Sequence, residues 1–112
     1  MALTREADDH TTARRLGLAL ATAVPFALYV ATASAFGYWH DGGEFVAAST
    51  DLGISHPPGH PLAAMVGAFL TMIPLGALPL RVAIAQALCA AIASGAFFLA
   101  TETTLRAMGM VR

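Results

Sequence analysis

Residues 16–39 read LGLALATAVPFALYVATASAFGYW, 24 consecutive positions without a charged side chain. An α-helix rises about 1.5 Å per residue and needs roughly 20 apolar residues to cross the hydrocarbon core of a bilayer. The run therefore predicts a transmembrane helix. Pro25 lies inside it, which a membrane helix tolerates as a kink. Tyr38 and Trp39 close the run, where an aromatic belt would anchor it. A secretory signal peptide is the rival reading, since Arg14-Arg15, an apolar core and Ala33-Ser34-Ala35 imitate one. The run is longer than a typical signal core, and under either reading the loop that follows faces outward.

The composition of the whole chain agrees. Of 112 residues, 57% are hydrophobic and only 12% are charged, against about 25% charged in soluble domains. So few charges could not cover the surface of a water-soluble globule, and so much apolar surface excludes intrinsic disorder. The formal net charge is −1, from six Arg, no Lys and seven acidic residues. No basic stripe offers itself to nucleic acid. The single Cys89 excludes a disulfide framework and a cysteine-based zinc site.

A second uncharged run covers residues 82–101, with Arg81 before it and Glu102 and Arg106 after it. It too is long enough to span. Residues 62–73 are apolar but number only 12, cut off by Pro61 and Pro74. At about 18 Å they fall short of the ~30 Å core, which predicts a re-entrant or juxtamembrane helix. Arg14 and Arg15 precede the first span, and residues 38–61 contain no Arg or Lys. The positive-inside rule then puts the N-terminus in the cytoplasm and the loop outside. With two spans Arg106 and Arg112 return to the cytoplasm; with three they would not. The expected organisation is a tail at 1–15, a first span at 16–39, an external loop at 40–61, a short helix and turn at 62–80, a second span at 81–106 and a cytoplasmic end at 107–112. This is an all-α membrane protein, placed in a bacterial inner membrane.

Small residues recur every fourth position: Ala19, Ala23, Ala27, Ala31 and Ala35 in the first span, and Ala83, Ala87, Ala91 and Gly95 in the second. Such stripes let helices approach closely in lipid, although an alanine-rich sequence also produces them by chance. In the short helix Leu62, Met65, Val66, Phe69 and Ile73 stand against Ala63, Gly67 and Thr71.

The external loop gathers three of the four histidines and three of the seven acids. Asp41 and Glu44 are three apart. Asp41 as cap and Glu44 at the third helical position would form a capping box opening an amphipathic helix, with Phe45, Ala48 and Leu52 on one face and Gly53 as its stop. The same spacing puts both carboxylates on one face, where one could accept a proton from a hydroxyl or both could hold a divalent cation. The two readings are compatible. His56-Pro57-Pro58-Gly59-His60-Pro61 is a rigid turn that could aim two imidazoles at a phosphate. It could equally be no more than a tight lead into the short helix, with Pro61 in its first turn. It is not a strong metal signature. His40 lies beside Trp39, an interfacial position.

In order, the chain shows arginine, a spanning helix, aromatic-Trp39-His40-Asp41-x-x-Glu44-Phe45, about ten residues, His56-Pro-Pro-Gly-x-Pro-Leu62, a short apolar helix and Leu80-Arg81 opening the next span. This order resembles the start of the protein O-mannosyltransferase-like membrane family, a branch of the GT-C glycosyltransferases. The resemblance covers roughly residues 16 to 106. It implies the N-terminal part of a GT-C fold, an enzyme that takes a sugar from a polyprenyl-phosphate carrier on the non-cytoplasmic side, inverting the anomeric carbon. It further implies Asp41 as the general base, Glu44 as the group that orients it or the sugar, and His40, His56, His60 and Arg81 as contacts to the donor. No cofactor is firmly implied; a divalent cation is an option. Full members have many more spans, so this chain is expected to work with further membrane helices or a partner subunit, among membrane lipids. Two other readings stand beside it. One is an accessory subunit without its own catalysis. The other is a small ion or metal transporter subunit using His56 and His60, which lacks the intramembrane polar residues it would need.

Overall fold

The computed structural model describes residues 2–36 and 41–110, with side chains described from His10 onward. All regular structure among them is helical: α1 (Ala2–Thr32), α2 (Gly42–Asp51), α3 (Pro61–Thr71) and α4 (Leu78–Ala107). Two helices contain stretches long and apolar enough to cross a membrane, His10–Thr32 and Leu78–Ala107, while Pro61–Thr71 is a shorter apolar helix.

The ends of α1 differ from the sequence expectation. The helix begins at Ala2, so the charged segment expected as a tail is helical. Pro25 sits inside α1 without ending it. The helix stops at Thr32, seven residues before Trp39. Just beyond, Ser34 Oγ accepts the Phe36 N–H at 3.1 Å. Such a local side-chain bond competes with the helical ladder and favours a turn. Tyr38, Trp39 and His40 lie outside the described residues.

The capping box does not form. Asp41 stands at the N-cap with helical dihedrals (φ −78°, ψ −2°) and makes no side-chain capping bond. A capping side chain needs an extended backbone at that position to swing over the first turn. The stop also comes one residue early: Leu52, not Gly53, takes the left-handed conformation (φ 52°). Gly53 donates to Ala48 O at 2.9 Å, which completes the closing pattern of a helix C-terminus. Pro61 opens α3, where its missing N–H costs nothing. Gly109 (φ 70°) ends α4, and Met110 donates back to Leu105 O at 3.0 Å.

The chain forms two compact units, Met1–Phe26 with Ala90–Arg112, and Ala27–Cys89. In the first, α1 and α4 run antiparallel: Arg14 pairs with Glu102, Gly17 faces Phe98, and Thr22 faces Gly95. The α4 stripe is at the contact, since Ala91 and Gly95 are buried, whereas Ala19 and Ala23 on α1 are exposed. The α1 side of the contact is made instead by Gly17, Leu18 and Thr22.

In the second unit most buried residues are small. Ser49 of α2 meets Gly67 of α3, with Val82 of α4 beside it, and Ala48, Ala64, Ala68, Ala85 and Ala87 are buried along with Leu70. Other large apolar side chains of α3 point away: Leu62, Met65 and Phe69 are exposed. Small inside and large outside is the arrangement of helices packed in lipid, where close backbone approach drives association. α2 and α3 approach closely at Ser49 and Gly67, where a Cβ added to Gly67 would run into Ser49 Oγ and lie 2.9 Å from Ser49 Cβ. The Ser49 hydroxyl is fully buried and has no hydrogen-bond partner among the described residues.

Gly67→Ala is therefore expected to destabilise this unit by about 1–3 kcal/mol through overpacking. Ser49→Gly in that background should restore part of the loss, and Ser49→Ala alone should cost nothing. Thermal melts in detergent, followed by far-ultraviolet circular dichroism, read all three.

Candidate functional site

The sequence places Asp41 at the start of α2, Glu44 one turn in, and His56 in the turn that leads to α3. The structure brings these three together. Glu44 Oε2 lies 2.8 Å from His56 Nδ1, and Glu44 Oε1 accepts the His56 backbone N–H. One carboxylate thus holds both the ring and the main chain of a residue 12 positions on. The other ring nitrogen, Nε2, faces Asp41 Oδ2 at 3.7 Å. All three side chains are exposed.

The turn that presents His56 is held from within. Gly59 donates to His56 O at 2.9 Å, and the buried Ser55 hydroxyl donates to Gly59 O at 3.0 Å. Gly59 has φ 92°, which favours glycine there. His60 is left-handed (φ 42°), and its ring lies 5.5 Å from that of Phe45, tilted by 42°. His60 is thus directed at α2 beside Phe45. Arg81 lies at the opposite end of α3. It donates to Thr71 O (2.8 Å) and to Gly76 O (3.1 and 2.8 Å), supplying partners for carbonyls at the α3 terminus and the turn after it. His40 falls outside the described residues.

The electrostatics follow from these contacts. The hydrogen bond from the His56 ring, and then that from its backbone N–H, hold the Glu44 carboxyl below its ordinary value. The hydrogen bond and charge of Glu44, and then the charge of Asp41, raise the His56 imidazole above its ordinary value. Chemically the cluster offers exposed acceptor oxygens and one imidazole on a defined frame. Asp41, Glu44 and His56 each present one ligand atom, all within 4.8 Å of one another, a set that could share one divalent cation.

Asp41, Glu44 and His56 stand out in the sequence by type but the tie between Glu44 and His56 does not, because the spacing of Asp41 and Glu44 carries no information about a residue 12 positions on. Sequence reasoning missed the Phe45–His60 contact, for which the sequence carries no pattern. It also missed the Arg14–Glu102 pair, although two antiparallel spans would put positions 14 and 102 at one end.

The His56 tie to Glu44 gives a signed pH dependence. The raised His56 contributes fully below its ordinary value of 6.5 and loses its contribution as pH rises through its folded value. The lowered Glu44 contributes above its ordinary 4.5 and loses it as pH falls through its folded value. The turn is therefore held best between about pH 4.5 and 6.5. In a nuclear magnetic resonance titration of imidazole signals, Glu44→Gln should lower the His56 midpoint; an unchanged midpoint would contradict the pairing.

Comparison with known proteins places this geometry in context. Residues 41–110 match the family model for the protein O-mannosyl-transferase TMEM260 N-terminal domain. The chain is 36% identical over 59 residues to protein O-mannosyl-transferase TMEM260 of Mus musculus, a match covering 52% of this chain. It spans only 8% of that relative's length. No solved structure matches the chain. The family match begins at Asp41 and takes in Glu44, His56 and all of α2, α3 and α4. The chain belongs to the protein O-mannosyl-transferase TMEM260 N-terminal domain family.

Proposed function

We propose that this chain supplies the first external loop and flanking spans of a membrane glycosyltransferase. That enzyme would take mannose from a polyprenyl-phosphate carrier and transfer it to a protein hydroxyl on the non-cytoplasmic face. The observation that carries this reading is the convergence of Asp41, Glu44 and His56 at one exposed point of a family domain. Asp41 is the general base. Its carboxylate takes the proton of the acceptor hydroxyl as the oxygen attacks the anomeric carbon, the bond from that carbon to the carrier phosphate breaks, and the carrier phosphate leaves with the electron pair. Glu44 is already bonded to His56, so its role is to fix the imidazole beside Asp41. His56 then steadies the charge of Asp41 rather than reaching for the phosphate. His60 and Arg81 are engaged with Phe45 and with backbone carbonyls, so donor-phosphate contacts come mainly from further helices of the assembled protein. The exposed apolar faces of α1 and α3 are the surfaces on which lipid and those helices would pack.

Charge supports this topology. Arg14, Arg106 and Glu102 gather at one end of the antiparallel helix pair, the end that the positive-inside rule favours for the cytoplasm. A two-span path would then carry Asp41 to the outside.

In the complete membrane-assembled protein, Asp41→Asn should lower mannose transfer to a Ser/Thr acceptor peptide by at least about 100-fold with unchanged protein abundance. Transfer at the original rate would remove Asp41 from the chemistry. Gly43→Cys, at a position where an added Cβ meets nothing within 4 Å, in a Cys89→Ser background, should react with an impermeant maleimide in intact spheroplasts. Labelling only after lysis would reverse the topology.

A further inference from the structure

The geometry points to a binding site for the phosphate of an anionic lipid headgroup at the charged end of the Met1–Phe26/Ala90–Arg112 unit. There a cleft of about 300 Å³ is lined by His10, Thr11, Arg14, Glu102, Thr103 and Arg106. Arg14 Nε bonds Glu102 at 3.0 and 2.8 Å, and Arg106 Nη2 bonds Glu102 at 2.8 Å. The carboxylate lies beneath, with its side chain 13% exposed, while the guanidiniums are 46% and 47% exposed. Glu102 therefore neutralises one of the two positive charges and fixes both guanidiniums, leaving one positive charge facing outward. Each guanidinium carries five N–H donors, more than one carboxylate can engage. Two adjacent, pre-oriented guanidinium forks match the tetrahedral oxygens of a phosphate.

The depth of the cleft selects the source. Leu16, Leu20, Val24, Ile92 and Phe97 of the same unit are exposed and apolar. They form a belt that starts two residues beyond Arg14, so the guanidiniums sit at the edge of the hydrocarbon, where lipid phosphates lie.

The test uses the chain in mixed-lipid nanodiscs, with lipids retained after release counted by native mass spectrometry. Phosphatidylglycerol should be retained in preference to phosphatidylcholine. Arg14→Gln with Arg106→Gln should lower phosphatidylglycerol retention roughly fivefold per arginine removed. Arg14→Lys with Arg106→Lys should keep most of it, and Arg15→Gln, outside the cleft, should change nothing. Glu102→Gln removes the inner countercharge and should hold retention at or above that of the unmodified chain. Millimolar inorganic phosphate should fail to displace the lipid; full displacement would make free phosphate the ligand and overturn the lipid assignment. Equal retention of the two lipids would sink the proposal. So would undiminished retention in the Arg-to-Gln pair, or a Glu102→Gln loss as large as that of the arginine pair.

Discussion

Close approach of helix backbones is the constraint from which the rest of this structure follows. The chain has few charges, and its buried residues among those described are mostly small, with Leu70 and Val82 the largest. Where α2 meets α3, Gly67 gives Ser49 room that any β-carbon would fill. Where α1 meets α4, Gly17 receives the ring of Phe98 and Gly95 receives Thr22. In lipid the gain from such contacts is dispersion between well-fitted surfaces. The large apolar residues are left on the outside, where they meet an apolar solvent at no cost. The buried hydroxyl of Ser49, with no hydrogen-bond partner among the described residues, shows that closeness at this crossing comes before polar satisfaction.

That packing determines where the chemistry can be. α2 and α3 are short and fixed against each other, so the turn between them has fixed ends. Glu44 then closes the turn by holding His56 at two atoms. The imidazole is left with one free nitrogen, and it faces Asp41. Two acids and a base are thereby gathered at an exposed point without burial. The lowered carboxyl of Glu44 and the raised imidazole of His56 arise chiefly from their contact with one another, against the opposing effect of burial.

Much of the fold was legible because charge is so sparse. Two long uncharged runs and one short run bounded by Pro61 and Pro74 correspond to α1, α4 and α3. Boundaries were harder. Ser34 ends α1 early through a bond within its own turn, and the charged residues before Leu16 do not stop a helix from forming. The loop chemistry was half legible. Asp41, Glu44 and His56 stood out by type, and the order of motifs pointed to the right family. Their pairing did not stand out, since the backbone angle of Asp41 decides against the cap and that angle is set by the tertiary fold. The small-residue stripes misled on α1 and held on α4, as expected of a composition rich in alanine.

Arg81 links two neighbouring helices through main-chain oxygens alone. Its planar fork reaches Thr71 and Gly76 at once, which a lysine's single ammonium on a flexible stem could not reproduce. The hairpin corner between α3 and α4 is thus braced across, as by a gusset. α3 is thereby tied, at the end of its own run, to the first turn of α4.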